Sequence, residues 1–123
     1  MRAWRLDEHT AYLGGDDAIV SPFARRFRVD AVLPFSERRL RAALQGNGIV
    51  TEVRGIGLMI GVDFVDADAA AEVEVEAFKR GLLVLTCGDR GVRMSPPLVV
   101  NAEEIKTAVR IFAEAAAAVA ARR

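Results

Sequence analysis

Arg93, in the run Val92-Arg93-Met94-Ser95-Pro96-Pro97, is the residue of this chain best placed by its neighbours to do chemistry. A guanidinium held on a short strand beside the glycine-containing loop Cys87-Gly88-Asp89-Arg90-Gly91 could grip a carboxylate through two parallel hydrogen bonds. The same guanidinium could equally close an internal salt bridge. A second group, Arg25, Arg26, Arg28, Arg38, Arg39 and Arg41, could neutralise RNA phosphates, with an affinity that falls as salt rises. Asp16, Asp17, Asp30 and Glu37 dilute that field. Cys87 offers a thiol, or only a small side chain in a loop. His9, between Glu8 and Thr10, lacks a partner nucleophile. Lys79 and Lys106 are the only lysines, and each falls in an expected helix. Gly55-x-Gly57-x-x-x-Gly61 has the wrong spacing for a dinucleotide-binding loop, and no helix signal follows it.

The composition bounds what can surround these residues. A chain of 123 residues with 52% hydrophobic and 28% charged residues has the make-up of one globular domain with a core of its own. The longest apolar stretch, near Ala113 to Ala121 and interrupted by Glu114, is mostly alanine and falls short of the ~20 residues that cross a bilayer. No membrane association is expected. The first residues lack the apolar core and cleavage site of a secretory signal, so a cytoplasmic protein is expected. One cysteine and one histidine exclude an internal disulfide and leave too few ligands for zinc. Formal charge is zero, with 17 basic and 17 acidic residues, yet arginine crowds the segment before residue 46.

The elements follow from periodicity and punctuation. Residues 3–13 can form a short helix that Gly14-Gly15 stops. Phe23, Phe27, Val29, Ala31 and Leu33 alternate with charged residues as in a half-buried strand, and Pro34 ends it. Ser36 can cap a helix over 37–45 whose apolar face is Leu40, Ala43 and Leu44, closed by a left-handed turn at Gly46. Val53 to Phe64, apolar and interrupted by glycines, reads as a buried strand approached closely by another backbone or a ligand. A helix over 69–80, with Ala71, Val75 and Phe78 on one face, leads to Gly81; Val73-Glu74-Val75-Glu76 also alternates like a strand. Strands are expected at 82–86 and 92–95. The last helix, 102–121, has Asn101 and Glu104 as a capping box and an apolar stripe of Ile105, Ala108, Val109, Phe112, Ala115, Ala116 and Val119. The expected fold is α+β: a small mixed, mainly antiparallel sheet, from stretches near 25–33, 49–64, 82–86 and 92–95, covered by helices.

Two resemblances attach to these segments. Ser21-Pro22-Phe23-Ala24-Arg25-Arg26-Phe27-Arg28-Val29 and Leu33-Pro34-Phe35-Ser36-Glu37-Arg38-Arg39-Leu40-Arg41-Ala42-Ala43-Leu44 resemble the THUMP-like domain of bacterial SAM-dependent methyltransferases, over residues 5–48. Val53-Arg54-Gly55-Ile56-Gly57-Leu58-Met59-Ile60-Gly61-Val62, Lys79-Arg80-Gly81-Leu82-Leu83-Val84-Leu85-Thr86-Cys87-Gly88 and Val92-Arg93-Met94-Ser95-Pro96-Pro97-Leu98-Val99-Val100 are similar to the C-terminal small domain of class III PLP-dependent aminotransferases, over residues 52–121.

The second resemblance implies a small antiparallel sheet beside a large domain, with Arg93 near the substrate carboxylate. It also implies that the Schiff-base lysine and the cofactor's aspartate belong to that large domain, because neither Lys79 nor Lys106 matches the catalytic lysine. The expectation is a partial THUMP-like segment (1–50) joined to an aminotransferase small domain (51–123). Such a chain would bind no pyridoxal phosphate alone and would be inactive alone. It would associate with an aminotransferase large domain or with itself. An RNA-binding accessory module and a designed or recombined scaffold without function are the alternatives.

Overall fold

The computed structural model of the protein describes residues 37–56, 58–97 and 99–123. The helix expected at 3–13, the strand expected near 25–33, His9, Arg25, Arg26 and Arg28 lie outside the described residues.

Helix α1 (residues 37–43) is shorter than the expected 37–45. Leu40 and Leu44 are buried, whereas Ala43, expected on the same face, is exposed. Gly46, at φ 81°, turns the chain in the left-handed region. Strands β1 (Val50–Ile56) and β2 (Met59–Phe64) follow as an antiparallel hairpin. The apolar run read as one strand is therefore two. Its residues alternate about a reversal between Ile56 and Met59, and each half finds its backbone partners in the other.

Helix α2 (Ala67–Lys79) begins where the Asp66 side chain accepts from the Ala69 N–H at 2.7 Å. It buries Ala69, Ala70, Val73, Glu76 and Ala77. The face expected to be buried is the outer one: Ala71 is exposed, as are Val75 and Phe78. The alanine-rich side wins because α2 packs closely against helix α3 (Ala102–Arg122), which meets it with Ala115, Ala116 and Val119. A strand over Val73–Glu76 is ruled out by the same helix.

Strand β3 (Leu85–Cys87) starts later than the expected 82–86, and Cys87, expected in a loop, is its last residue. The Thr86 N–H donates to Glu74 of α2 at 2.8 Å, which pins β3 beneath that helix. Strand β4 (Gly91–Met94) completes a four-stranded sheet of order β1-β2-β4-β3, with every described pairing antiparallel. The α+β class holds.

The sheet has two unlike faces. Val53, Ile60, Val62, Phe64 and Val92 point to the helices and are buried, with the Phe64 and Phe112 rings 6.3 Å apart. The capping box of α3 forms as expected, Glu104 N–H to Asn101 Oδ1 at 2.9 Å and Asn101 N–H to Glu104 Oε2 at 3.0 Å. At the other end of α3, Arg122 and Arg123 bridge to Glu72, Glu76 and Asp66 of α2 and its cap. The opposite face of the sheet carries none of the described helices.

Candidate functional site

The chemistry-bearing residues collect on that open face, and strand register decides which ones. Side chains alternate between faces along a strand, so a residue's opposite partner shares its face. Arg54 on β1 stands opposite Gly61 on β2, Gly61 opposite Arg93 on β4, and Arg93 opposite Leu85 on β3. This row crosses the whole sheet. A second row runs Glu52, Asp63, Gly91, Cys87. A bulge between Val50 and Glu52 shifts the register of β1 by a residue. Glu52 and Arg54 thereby face outward while Val53 faces the core.

Over the first row lies a shallow hollow of about 270 Å³, lined by Arg54, Gly55, Ile56, Met59, Gly61, Cys87 and Arg93. The two arginines differ in their commitments. Arg54 is ion-paired to Asp63 at 2.8 Å and to Glu52 at 3.2 Å. The hydrogen bond and charge of Asp63 hold its guanidinium even more firmly protonated than usual. Its Cζ and Nη2 lie 3.5 Å, and its Nε 3.6 Å, from where a Gly61 Cβ would stand, so the group is laid across the glycine. A Cβ there would make only ordinary contact, and the neighbour is the protein's own side chain, not the backbone or ligand expected at the glycines. Arg93 is exposed, and among the described residues it has no hydrogen-bonding or ionic partner. The internal salt bridge that was its alternative role is not made there.

Ile56 and Met59 line the hollow and are 80% and 50% exposed, and Leu85 on the same face is 58% exposed, a cost in water unless something apolar covers them. Cys87 lines the hollow with a partly buried thiol.

The remaining candidates lie elsewhere. Arg41 donates to Glu37 at 2.7 Å and to the Val53 carbonyl at 2.6 Å, tying α1 to β1. Of the arginines expected to meet RNA, it is thus engaged within the fold. Arg38 and Arg39 are exposed on the same short helix. Lys79 pairs with Glu76 at 3.2 Å and Lys106 with Glu103 at 3.0 Å, both on helix surfaces away from the open face. A pyridoxal phosphate site needs a lysine aimed at the cofactor and a carboxylate at its pyridine nitrogen. Neither lysine of the chain is so aimed, so these residues do not fit the cofactor. A larger cleft of about 420 Å³ lies between the Leu82-Leu83 turn, Pro96, Val99 and the first turns of α3. Its lining is almost wholly hydrocarbon, and its carboxylate, Glu104, is already the capping box.

Arg54, Asp63 and Glu52 were missed as site residues by reasoning from sequence. The available signal was alternation: Arg54 and Gly61 share a face once the hairpin turn is recognised.

Residues 28–116 match the family described as aminotransferase class-III. The match starts ahead of the expected changeover at 48–52 and runs through it, so residues 28–48 fall within the same family, and no support for a THUMP-like segment is found. The chain is 39% identical over 77 residues to the acetylornithine aminotransferase of Haemophilus ducreyi, covering 63% of this chain and 19% of that protein. It is 36% identical over 84 residues to gamma-aminobutyrate transaminase 1, mitochondrial, of Oryza sativa subsp. indica, covering 59% and 16%. Among solved structures, lysine aminotransferase from M. tuberculosis in its internal aldimine form superposes with a TM-score of 0.68 at 28% identity, covering 79% of this chain and 22% of that one. Ornithine delta-aminotransferase of Plasmodium falciparum shares the fold, with a TM-score of 0.69 at 22% identity over 81% of this chain and 26% of that one. The chain thus spans about a fifth of the length of the relatives it matches.

Proposed function

Since the chain belongs to the class-III aminotransferase family, we propose that it acts as the substrate-carboxylate side of such an enzyme, with Arg93 as the gripping group, and that it does not transaminate alone. The observation that carries this reading is the guanidinium of Arg93, exposed on the open sheet face and without a hydrogen-bonding or ionic partner among the described residues. A buried or paired arginine would have to be released before it could bind; this one is already presented. A carboxylate bound there forms a charge-assisted pair, and the neighbouring Ile56 and Met59 exclude water from one side of it. Arg93 fixes the acid end of the substrate. Orientation, rather than bond making, is its contribution.

The cofactor's chemistry, stabilising a carbanion next to nitrogen, has to come from elsewhere. Both lysines of the chain are committed to ion pairs on helix surfaces. A partner bearing the cofactor lysine, facing the open sheet, is the assembly this reading calls for. Relatives named for acetylornithine and gamma-aminobutyrate point to an amino acid as the substrate class.

The test is a turnover assay with the purified chain, pyridoxal phosphate, an amino donor such as acetylornithine and a 2-oxo acid acceptor. No product above the protein-free control is expected. Sustained turnover by the chain alone would overturn the non-catalytic part of the proposal.

A further inference from the structure

Each outer strand of the described sheet has a backbone group taken by a side chain from a helix. On β1 the Val53 carbonyl accepts from Arg41 of α1 at 2.6 Å, and on β3 the Thr86 N–H donates to Glu74 of α2 at 2.8 Å. In an antiparallel ladder alternate residues turn their N–H and C=O toward the neighbouring strand and away from it. Thr86, the middle residue of β3, points its N–H off the sheet, and the bond to Glu74 means that a side chain, not another strand, meets it there.

The two edges differ in what lies along them. β1 carries Glu52 and Arg54, charges that resist a second strand. β3 lies within Gly81-Leu82-Leu83-Val84-Leu85-Thr86-Cys87-Gly88, a run without a charge or a proline, between Lys79-Arg80 and Asp89-Arg90. Leu83 and Leu85 of that run are 80% and 58% exposed. An apolar, uncharged edge of this kind is a template for its own copy. Two copies related by a twofold axis would set Thr86 against Thr86, each N–H bonding to the other's carbonyl.

We propose that Glu74 is an edge guard: its carboxylate holds the Thr86 N–H and closes β3 to strand addition by a second copy of the chain. The guard acts twice. It occupies the donor that an incoming strand needs, and an incoming strand would bury a carboxylate stripped of its hydrogen bond. The contact it prevents is short, a few residues from each copy, so one charge-assisted hydrogen bond per copy decides whether it forms. Nothing in the guard depends on Arg93.

The experiment measures self-association of the full chain by sedimentation equilibrium, with amide hydrogen exchange of Thr86 followed by NMR over a range of protein concentrations. E74A is expected to tighten association about a hundredfold over wild type, about tenfold for each of two uncapped edges, and to gain protection at Thr86 as concentration rises. E74Q, whose amide oxygen still accepts the N–H, should stay close to wild type; association as tight as in E74A would assign the effect to lost charge and overturn the guard. E74A/L83K, with a charge returned to the edge, should fall back to wild-type association. Equal association of E74A and wild type overturns the guard, since pairing through any other face would be the same in both. Tighter association with faster Thr86 exchange at every concentration would mark a loosened fold that aggregates, and overturns it too. If E74A does not fold, E74D, whose carboxylate falls a methylene short of the N–H, must move association in the same direction by a smaller amount, and an unchanged constant there overturns the guard.

Discussion

The two faces of the sheet are built from the same strands and spend their side chains on opposite ends. On the inner face Val53, Ile60, Val62, Phe64 and Val92 join the helices in one apolar cluster. On the outer face Arg54, Asp63, Glu52 and Arg93 stand among exposed Ile56, Met59 and Leu85. Alternation along each strand separates the two sets, so folding energy and binding chemistry are assigned residue by residue to opposite sides. Substitutions should therefore divide cleanly: those facing inward change stability, and those facing outward change what binds.

The sharpest division is expected between Phe112 and Ile56. Phe112 is fully buried against Phe64, and Phe112→Ala should cost about 3–5 kcal/mol in denaturant unfolding. Ile56→Ala should change stability by no more than about 0.5 kcal/mol. An equal cost for both would mean that the outer face is packed in solution. Next comes Gly91, where the outer face has its tightest point. A Cβ there would meet Asp63 Oδ1 at 2.8 Å and the Cys87 carbonyl at 2.9 Å, so Gly91→Ala should destabilise by about 1–3 kcal/mol and weaken the hold on Asp63. Asn101→Ala, which removes the α3 cap, is smaller at about 1 kcal/mol and should leave carboxylate binding untouched.

The last prediction concerns pH. Hydrogen bonds from Arg80 and then Lys79, helped by the nearby charge of Arg122, lower the Glu76 carboxyl from 4.5 to about 2. A carboxyl more acidic in the folded than in the unfolded chain stabilises at pH values above its unfolded range. Its contribution is present above about pH 4.5 and is lost as pH falls toward about 2. In Glu76→Gln the acid limb of stability against pH should flatten across that window, measured by chemical denaturation at a series of pH values. An unchanged limb would show that other carboxylates carry it.

The inner face was largely legible from sequence. The stripe of α3, its capping box and the turn at Gly46 all depend on neighbours in the chain, and local spacing announces them. The α2 face was read wrongly because Val75 and Phe78 are more apolar than the alanines. What α2 buries is set by how closely α3 can approach, which favours Ala69, Ala70 and Ala77. The hairpin was missed because composition suited one strand as well as two. With it went the Arg54 pairing, since Asp63 and Glu52 reach Arg54 only through the fold-back and the bulge. Arg93 could be singled out from its surroundings, but its lack of a partner among the described residues is a property of the assembled sheet.

The central claim is that the open face, and not the apolar cleft beside α3, is where an acid binds. The measurement that bears on it most directly is an NMR titration of the isotopically labelled chain with pentanoate, following backbone amides across both regions. Shifts concentrated at Arg54, Gly61, Leu85 and Arg93, and lost in R93Q, are the predicted result. Shifts concentrated instead at Leu82, Leu83, Val99 and Val109, with the open face silent, would contradict it.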